Sequence, residues 1–283
     1  MGNHYEIIIS SSSHQLPILV SLITPETAGK APVIIFSHGF KGFKDWGHFP
    51  QVAAWFAAQG MAFLRFNFSH NGTSPEHPAD FVKLEHFALN NFSIELQDLH
   101  DTIDWVERHA EQYQLDAQNI FLIGHSRGGG ISIIKAAEDA RVKKVITWAS
   151  VADFESRFMV DGFLEWKKNG ITYIPNARTN QLMPLHYQFY EDFDQNRERL
   201  YIRKAAKKLD KPLLVIHGTA DDTVSVNEAN ALHQWAKGSR LCLLQDADHT
   251  FNAVHPYQEV ELNKHIIKKL QVCLSFLNDD DQH

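Results

Sequence analysis

The sequence has few cysteines and no metal-binding motif. Cys242 and Cys273 are the only two cysteines among 283 residues, and they form no C-x-x-C pair. Cys242 falls in a strand-like run and Cys273 in a helix-like run, so we expect both to be small buried hydrophobic residues in a reducing cytoplasm. Histidine is plentiful at 17 residues, but no H-E-x-x-H or paired His/Cys spacing occurs. The sequence therefore predicts no metal and no organic cofactor.

Excess positive charge and long apolar runs are also lacking. The net charge of -7 argues against nucleic acid as a partner, because phosphate binding needs a basic face. No window approaches the roughly 18 uninterrupted apolar residues of a membrane span. The first residues, MGNHYEIIISSSSHQ, lack the basic and apolar regions of a secretion signal. We therefore expect a globular cytoplasmic protein.

What the sequence does contain is a nucleophile motif at residues 119–130, NIFLIGHSRGGG. The apolar run 120–123 is typical of a buried parallel strand, and the residues after the motif suit a helix. The G-x-S-x-G at 124–128 needs this strand–turn–helix context to present a reactive serine. Its glycines leave space at a tight turn, where larger side chains would collide with the strand or the helix. Ser126 is therefore the predicted nucleophile.

Strands alternate with helices along the chain, which predicts an α/β fold in which a mostly parallel, eight-stranded sheet carries helices on both faces. The predicted strands are Tyr5–Ser10, Leu16–Thr24, Val33–Ser37, Met61–Phe66, Asn119–Gly124, Val142–Ala149, Lys211–His217 and Arg240–Gln245. The predicted helices, besides the one after Ser126, are Phe49–Gln59, Phe92–His109, Ala229–Ala236 and Val260–Phe276. The first two strands should form an antiparallel hairpin, and residues 1–283 should form a single domain.

One segment breaks this alternation. At about 151–201, between the sixth and seventh strands, about fifty residues show no strand–helix rhythm, and a structureless loop that long is uncommon in a compact domain. We therefore predict a cap inserted over the active site. Its aromatic residues are expected either to line a pocket for an apolar or aryl group or to hold the cap on the core. They are Phe154, Phe158, Phe163, Trp166, Tyr173, Tyr187, Phe189, Tyr190 and Phe193.

Two polar loops downstream supply partners for Ser126. Asp221 and Asp222 follow the seventh strand in HGTADDTV, and His249 follows the eighth in DADHTF. The carboxyl ends of parallel strands share one rim of an open sheet, so these residues should converge on Ser126. His249 would take the serine proton, and a buried aspartate would orient the imidazole.

The loop after the third strand supplies part of an oxyanion hole. It reads His38-Gly39-Phe40, and its glycine lets the backbone approach closely. We predict that the backbone N–H groups of Phe40 and Arg127 bind the oxyanion of the tetrahedral intermediate. His125 and His217 are expected either to pack or to support the catalytic groups, and not to react.

The His-Gly loop, the GHSRGG turn, the HGTADDTV loop and the DADHTF loop stand in an order that resembles the α/β-hydrolase superfamily, over about residues 5–277. Within it the chain looks most like small bacterial carboxylesterases of the cinnamoyl/feruloyl kind, which carry a comparable cap between the sixth and seventh strands. The resemblance implies Asp221 as the acid of the triad, because Val224 fits the last position of an H-G-x-x-D-x-x-V pattern.

These features predict a serine hydrolase that cleaves small carboxylic esters, including aryl or hydroxycinnamoyl esters, through an acyl-enzyme. One alternative is a peptidase acting on short peptides, which would bind the substrate amine with cap carboxylates (Glu155, Asp161, Glu191, Asp192 and Asp194). Another is a hydrolase scaffold that binds without reacting. The oligomeric state stays open, with a homodimer among the alternatives.

Overall fold

The computed structural model describes residues 2–26, 29–158, 161–176 and 179–279. The strands are β1 (Asn3–Ser10), β2 (Pro17–Thr24), β3 (Ala31–Ser37), β4 (Ala62–Asn67), β5 (Leu115–His125), β6 (Val142–Trp148), β7 (Ile171–Asn176), β8 (Gln181–His186), β9 (Leu213–Gly218) and β10 (Arg240–Leu244). The α-helices are α1 (Phe49–Ala58), α2 (Leu84–Ala88), α3 (Phe92–His109), α4 (Arg127–Glu138), α5 (Phe163–Asn169), α6 (Gln188–Gln195), α7 (Ile202–Lys208), α8 (Val226–Trp235) and α9 (Lys264–Asn278).

Eight of these strands form one sheet in the order β1-β2-β4-β3-β5-β6-β9-β10. The pairs from β4 to β10 are parallel, and the β1–β2 hairpin joins β4 in antiparallel orientation. The predicted mostly parallel, eight-stranded α/β fold is therefore confirmed. The carboxyl ends of β3, β5, β9 and β10 lie along one edge, which is where the predicted site residues follow.

The sheet is buried on both faces, as the unbroken apolar strands predict. In β3, Val33 and Ile35 pack on the side of α3, α4 and α8, whereas Ile34 and Phe36 pack on the side of α1 and α9. All four side chains are fully buried. This alternation follows from the two-residue period of a strand, and it explains why a central strand needs apolar residues at every position.

The segment between β6 and β9 contains regular structure that the sequence pattern did not predict. It holds a 3₁₀ helix at Glu155–Phe158, then α5, the antiparallel hairpin β7–β8 and α6. We call residues 155–195 the cap segment; its residues 159–160 and 177–178 lie outside the described ranges. It is inserted between the sixth and seventh strands of the main sheet, as predicted.

Side-chain hydrogen bonds tie the cap segment to the start of α3. Gln188 in α6 donates to the carbonyl oxygen of Asn90 at 2.8 Å and accepts from Nδ2 of Asn91 at 2.9 Å. The carboxylate of Asp192 accepts from the Ser93 amide at 3.2 Å. These contacts satisfy polar groups at a helix start that would otherwise lack partners. They fix α6 beside the N-terminus of α3.

Candidate active site

Ser126 occupies the sharp turn that joins β5 to α4. Its backbone has φ 56° and ψ −122°, a left-handed conformation that is strained for a residue with a side chain. The turn also packs tightly, because a Cβ added at Gly128 would lie 2.3 Å from the carbonyl oxygen of Ser37 at the end of β3. Only glycine fits at this position. The sequence-predicted strand–turn–helix arrangement around Ser126 is present.

His249 and Asp221 lie together although 28 residues separate them in the sequence. Nδ1 of His249 is 2.8 Å from Oδ2 of Asp221, and the Asp221 side chain is fully buried. Oδ1 of Asp221 accepts from the backbone amides of Thr223 at 2.9 Å and Val224 at 2.8 Å. Asp222, the alternative acid, is exposed and accepts instead from the hydroxyl of Thr223. The carboxylate that contacts His249 is therefore that of Asp221.

The environment of Asp221 favours its ionised form. Burial alone would raise the pKa of this carboxyl, but hydrogen bonds from His217, His249 and the Val224 amide, with the charge of His249, hold it well below its usual range. His217 is fully buried, and its Nε2 lies 3.1 Å from Oδ2 of Asp221 and 2.9 Å from the carbonyl oxygen of Val224. His217 therefore contacts the carboxylate that faces His249, which is one of the two roles expected for it.

His125 supports the backbone of His249. Its Nε2 donates to the carbonyl oxygen of His249 at 3.0 Å, and the two rings lie 4.8 Å apart. Burial lowers the pKa of His125 well below the usual value, which favours the neutral ring with the proton on Nε2. His125 therefore has a hydrogen-bonding role beside its packing.

The backbone amides of Phe40 and Arg127 are the two predicted oxyanion donors. Arg127 is the first residue of α4, where amides have no partner within the helix. Among the described residues, neither amide donates a hydrogen bond to another protein group. Gly39 brings the loop against the nucleophile, since a Cβ at this position would lie 2.9 Å from Cβ of Ser126.

The Arg127 side chain makes contacts that the sequence did not predict. Its guanidinium lies 3.8 Å from the centre of the Phe40 ring and 4.9 Å from that of Phe189 in α6. Nη1 donates to Oε1 of Glu95 in α3 at 3.2 Å, and the two side chains are 12% and 4% exposed. Burial raises the pKa of Glu95 and lowers that of Arg127, while their mutual attraction opposes both shifts. No local sequence pattern marks this pair, because the two residues are 32 positions apart and β5 lies between their helices.

Ser126 and His249 line the same open cleft, which has a volume of about 160 Å³. Its other lining residues are His38, Gly39, Phe40, Lys41, Gly42, Trp46, Phe49, His125 and Thr250. Its aromatic surface thus comes from the loop after β3 and the start of α1.

The cap aromatics do not line this cleft, which corrects one of the two expected roles. Phe158 is buried, and its ring centre lies 5.4 Å from that of Phe189 and 5.1 Å from that of Phe193. Phe189 packs in turn on Phe92 of α3 at 4.7 Å. Apart from Tyr173, which is exposed, the aromatic residues of the cap segment therefore hold the cap on the core, the second of the two roles.

Three of the five cap carboxylates, those of Glu155, Asp192 and Asp194, pair with groups of the protein itself. Glu155 and Asp194 both pair with Arg197, and no Asp or Glu belongs to the described residues that line the cleft. Over the described ranges, no group of three or more His, Cys, Asp or Glu side chains is arranged to hold a metal ion. No helix in the same ranges is both long and apolar enough to cross a membrane.

Comparison with known proteins shows the family and supports the fold. A family model described as BD-FAE matches residues 22–236. Polyketide transferase ATR5 from Stachybotrys chlorohalonatus is 28% identical over 125 residues, which cover 44% of this chain and 38% of that protein. A 31.7 kDa Escherichia coli protein from the traX-finO intergenic region is 31% identical over 136 residues, covering 48% and 43%. The chain thus spans less than half the length of these relatives.

A solved structure shares nearly the whole fold. Est1E from Butyrivibrio proteoclasticus with ferulic acid bound has a TM-score of 0.73 and 18% sequence identity over 96% of this chain and 100% of that one. At this identity the likeness concerns the fold alone. That fold includes helices on both faces of a mostly parallel sheet, as described above.

Proposed function

Because the chain belongs to the BD-FAE family, within the α/β-hydrolase superfamily that its sequence resembles, we propose that it is a serine esterase. It cleaves small carboxylic esters through an acyl-enzyme on Ser126. The proposal is supported above all by one arrangement: strained Ser126 shares a cleft with His249, whose Nδ1 lies 2.8 Å from buried Asp221.

The acylation step uses each of these groups. Nε2 of His249 takes the hydroxyl proton of Ser126 while the serine oxygen bonds to the ester carbonyl carbon. Ionised Asp221 accepts from Nδ1 of His249, which fixes the tautomer and stabilises the imidazolium. The imidazolium then gives its proton to the leaving alcohol as the carbon–oxygen bond breaks, and the acyl group remains on Ser126.

Deacylation repeats the sequence with water as the nucleophile. His249 takes a proton from water, the hydroxide attacks the acyl carbon, and Ser126 leaves with the proton restored. In both steps the amides of Phe40 and Arg127 donate hydrogen bonds to the developing oxyanion. Both amides have no other protein partner among the described residues, which suits donors that must be available when charge develops.

The lining of the cleft supports aryl or hydroxycinnamoyl esters as the proposed substrates. Phe40, Trp46 and Phe49 give it an apolar aromatic wall beside Ser126. Flat aromatic groups bury much surface against such walls with little loss of conformational freedom. Ferulic acid, which is bound in the Est1E structure, carries a flat aromatic group of this kind.

A Ser126→Ala variant tests the nucleophile. Turnover of p-nitrophenyl and methyl hydroxycinnamate esters should fall by about six orders of magnitude, because a triad without its nucleophile loses acylation entirely. Ser132→Ala is the matched control, since Ser132 lies in α4, is fully buried and has a hydroxyl without a partner. It should keep wild-type turnover. Retention of a tenth of wild-type activity in Ser126→Ala would show that another group is the nucleophile.

The peptidase alternative is tested by comparing an aryl acetate with an amino-acid anilide. Recognition of a free amine would need a carboxylate at the cleft, and the described lining residues supply none. We expect the ester to be the better substrate. Rapid anilide cleavage would favour a peptidase, and failure of folded wild-type protein to turn over any ester would favour a binding scaffold.

The proposal includes a cytoplasmic location and a small-molecule partner. Cys242 and Cys273 are both free thiols, Cys273 being fully buried, as suits a reducing cytoplasm. The proposed partner is a small-molecule ester, with no nucleic acid. A single domain over residues 1–283 remains part of the proposal, and a homodimer remains one alternative for the oligomeric state.

A further inference from the structure

We propose that the guanidinium of Arg127 is a positioning group that clamps the Phe40 loop. It thereby fixes the two oxyanion donors, the backbone amides of Phe40 and Arg127, relative to each other. This inference rests on the proposed esterase function. It concerns the Arg127 side chain, whereas only the backbone amide of this residue takes part in the mechanism above.

The two proposed oxyanion donors come from separate segments of the chain. Phe40 lies in the loop after β3, and Arg127 begins α4 after the nucleophile turn. Donors stabilise an oxyanion strongly only when both are fixed at hydrogen-bond distance from its position before the reaction. A contact that joins the two residues directly would therefore set this geometry. The guanidinium of Arg127, 3.8 Å from the centre of the Phe40 ring, is such a contact.

The Phe40 ring is held between several groups. It stacks on Phe87 of α2, with ring centres 5.5 Å apart and an interplanar angle of 27°. Phe87 belongs to a small apolar cluster with Phe43, Phe81 and Met183 of β8. Arg127 adds a cation–π contact to this packing, and such contacts are stronger when the cation is shielded from water, as here.

The guanidinium is itself immobilised. Oε1 of Glu95 accepts from Nη1 of Arg127 at 3.2 Å and from Nδ2 of Asn90 at 2.8 Å. The ring centres of Phe92 and Phe189 lie 5.2 and 4.9 Å from the guanidinium carbon. Since Phe189 belongs to α6, the same cation also links the oxyanion loop to the cap segment. A planar guanidinium can stack and donate at once, which a lysine ammonium at this position cannot do.

The test compares Arg127→Met and Arg127→Lys with wild type by measuring kcat and KM on an aryl ester and the inhibition constant of a trifluoromethyl ketone. The ketone forms a tetrahedral adduct with an oxyanion. We expect kcat to fall about tenfold in both variants and ketone affinity to fall in parallel, with KM changing less than about threefold, because the lost interaction acts on the oxyanion. Equal losses in Lys and Met variants would show that stacking rather than charge matters.

Removing Arg127 alone leaves Glu95 buried without its cation, which destabilises the fold. The double variant Arg127→Met with Glu95→Gln removes both charges, and it should fold and still show the reduced kcat and ketone affinity. Phe40→Leu should lower kcat, and its effect should not add to that of Arg127→Met, because both variants break one contact. Arg199→Met, which breaks an exposed ion pair with Glu138, is the control.

Wild-type kcat and ketone affinity in the folded double variant would overturn the clamp while leaving the esterase proposal intact. So would fully additive losses in the Phe40 and Arg127 variants. Failure of wild-type protein to hydrolyse esters or to bind the ketone would instead overturn the proposed function itself.

Discussion

Asp221 is a buried carboxylate with donors on both of its oxygens. Thr223 and Val224 amides occupy Oδ1, and His249 with His217 faces Oδ2. These contacts hold the pKa of Asp221 well below its usual range, so the group is ionised at neutral and mildly acidic pH. The loss of activity on the acid side should therefore follow the protonation of another group.

Replacing Asp221 by Asn tests its role at the residue scale. The carboxamide has nearly the same shape but cannot stabilise the imidazolium and favours the wrong tautomer of His249. We expect kcat to fall about 10⁴-fold, measured on an aryl ester at saturating substrate. Asp222→Asn, which changes the exposed neighbour in the same way, should leave kcat unchanged. If the two variants lost activity equally, the acid would be wrongly assigned.

The sequence predicted these residues because each follows the end of a strand. Ser126, His249 and the Asp221–Asp222 pair occupy loops that any open parallel sheet brings to one edge, and the family resemblance then implied Asp221 rather than Asp222. The contact of Arg127 with Phe40 and Glu95 could not be predicted. It depends on how a loop, a helix start and α3 pack in three dimensions, and no spacing in the sequence encodes that.

At the scale of elements, an aromatic cluster packs the cap segment onto the core and does not line the cleft. Phe158→Ala should lower the free energy of unfolding by about 3–5 kcal/mol, because it leaves a cavity among Phe189, Phe193 and Tyr190. The measurement is chemical denaturation followed by circular dichroism. The ratio of kcat/KM for aryl and alkyl esters should not change.

Trp46→Leu is the matching change in the cleft. It shortens an aromatic wall beside Ser126, so it should lower kcat/KM for the aryl ester. The ratio of kcat/KM for aryl and alkyl esters should therefore fall. If Phe158→Ala shifted the ratio and Trp46→Leu did not, the cap aromatics would be the specificity pocket after all.

The elements that the sequence failed to predict have weak local signals. Strands β7 and β8 each contain a proline, Pro175 and Pro184, and proline is unusual inside a paired strand. The start of α9 was placed too early, at Val260, which is 98% exposed. The helix begins at Lys264 because the Asn263 side chain caps it, accepting from the amides of His265 and Ile266.

At the scale of the whole molecule, α9 buries a lysine in the core. Lys269 is fully buried, with Nζ 3.1 Å from Nε2 of His48 and 3.8 and 4.1 Å from the ring centres of Trp148 and Phe251. Burial lowers the pKa of Lys269 to about 7. The unfolded chain, with a lysine pKa of about 10.4, therefore binds this proton more tightly than the native state does. Lys269 therefore lowers the free energy of unfolding below pH 10, and this loss grows as the pH falls to about 7.

Lys269→Met should raise the free energy of unfolding at pH 7 by on the order of 1–3 kcal/mol, because the methionine fills the site without a charge to desolvate. This gain in the free energy of unfolding should shrink as the pH rises from 7 towards 10. Near pH 10 Lys269 begins to lose its proton in the unfolded chain as well, so the two states differ less in bound protons. Urea denaturation at pH 7 and pH 9 measures both effects. Lys268→Met, on the exposed neighbour, should change neither. A Lys269→Met variant that is less stable than wild type at both pH values would contradict this account.

The most direct test of the esterase proposal is covalent labelling with a fluorophosphonate, which phosphonylates only an activated serine. Folded wild-type protein should gain the mass of one phosphonyl group, with peptide mapping placing it on Ser126, and Ser126→Ala should gain none while Ser132→Ala labels like wild type. Absence of labelling in folded wild-type protein, or equal labelling of Ser126→Ala, would contradict an assembled Ser126–His249–Asp221 triad.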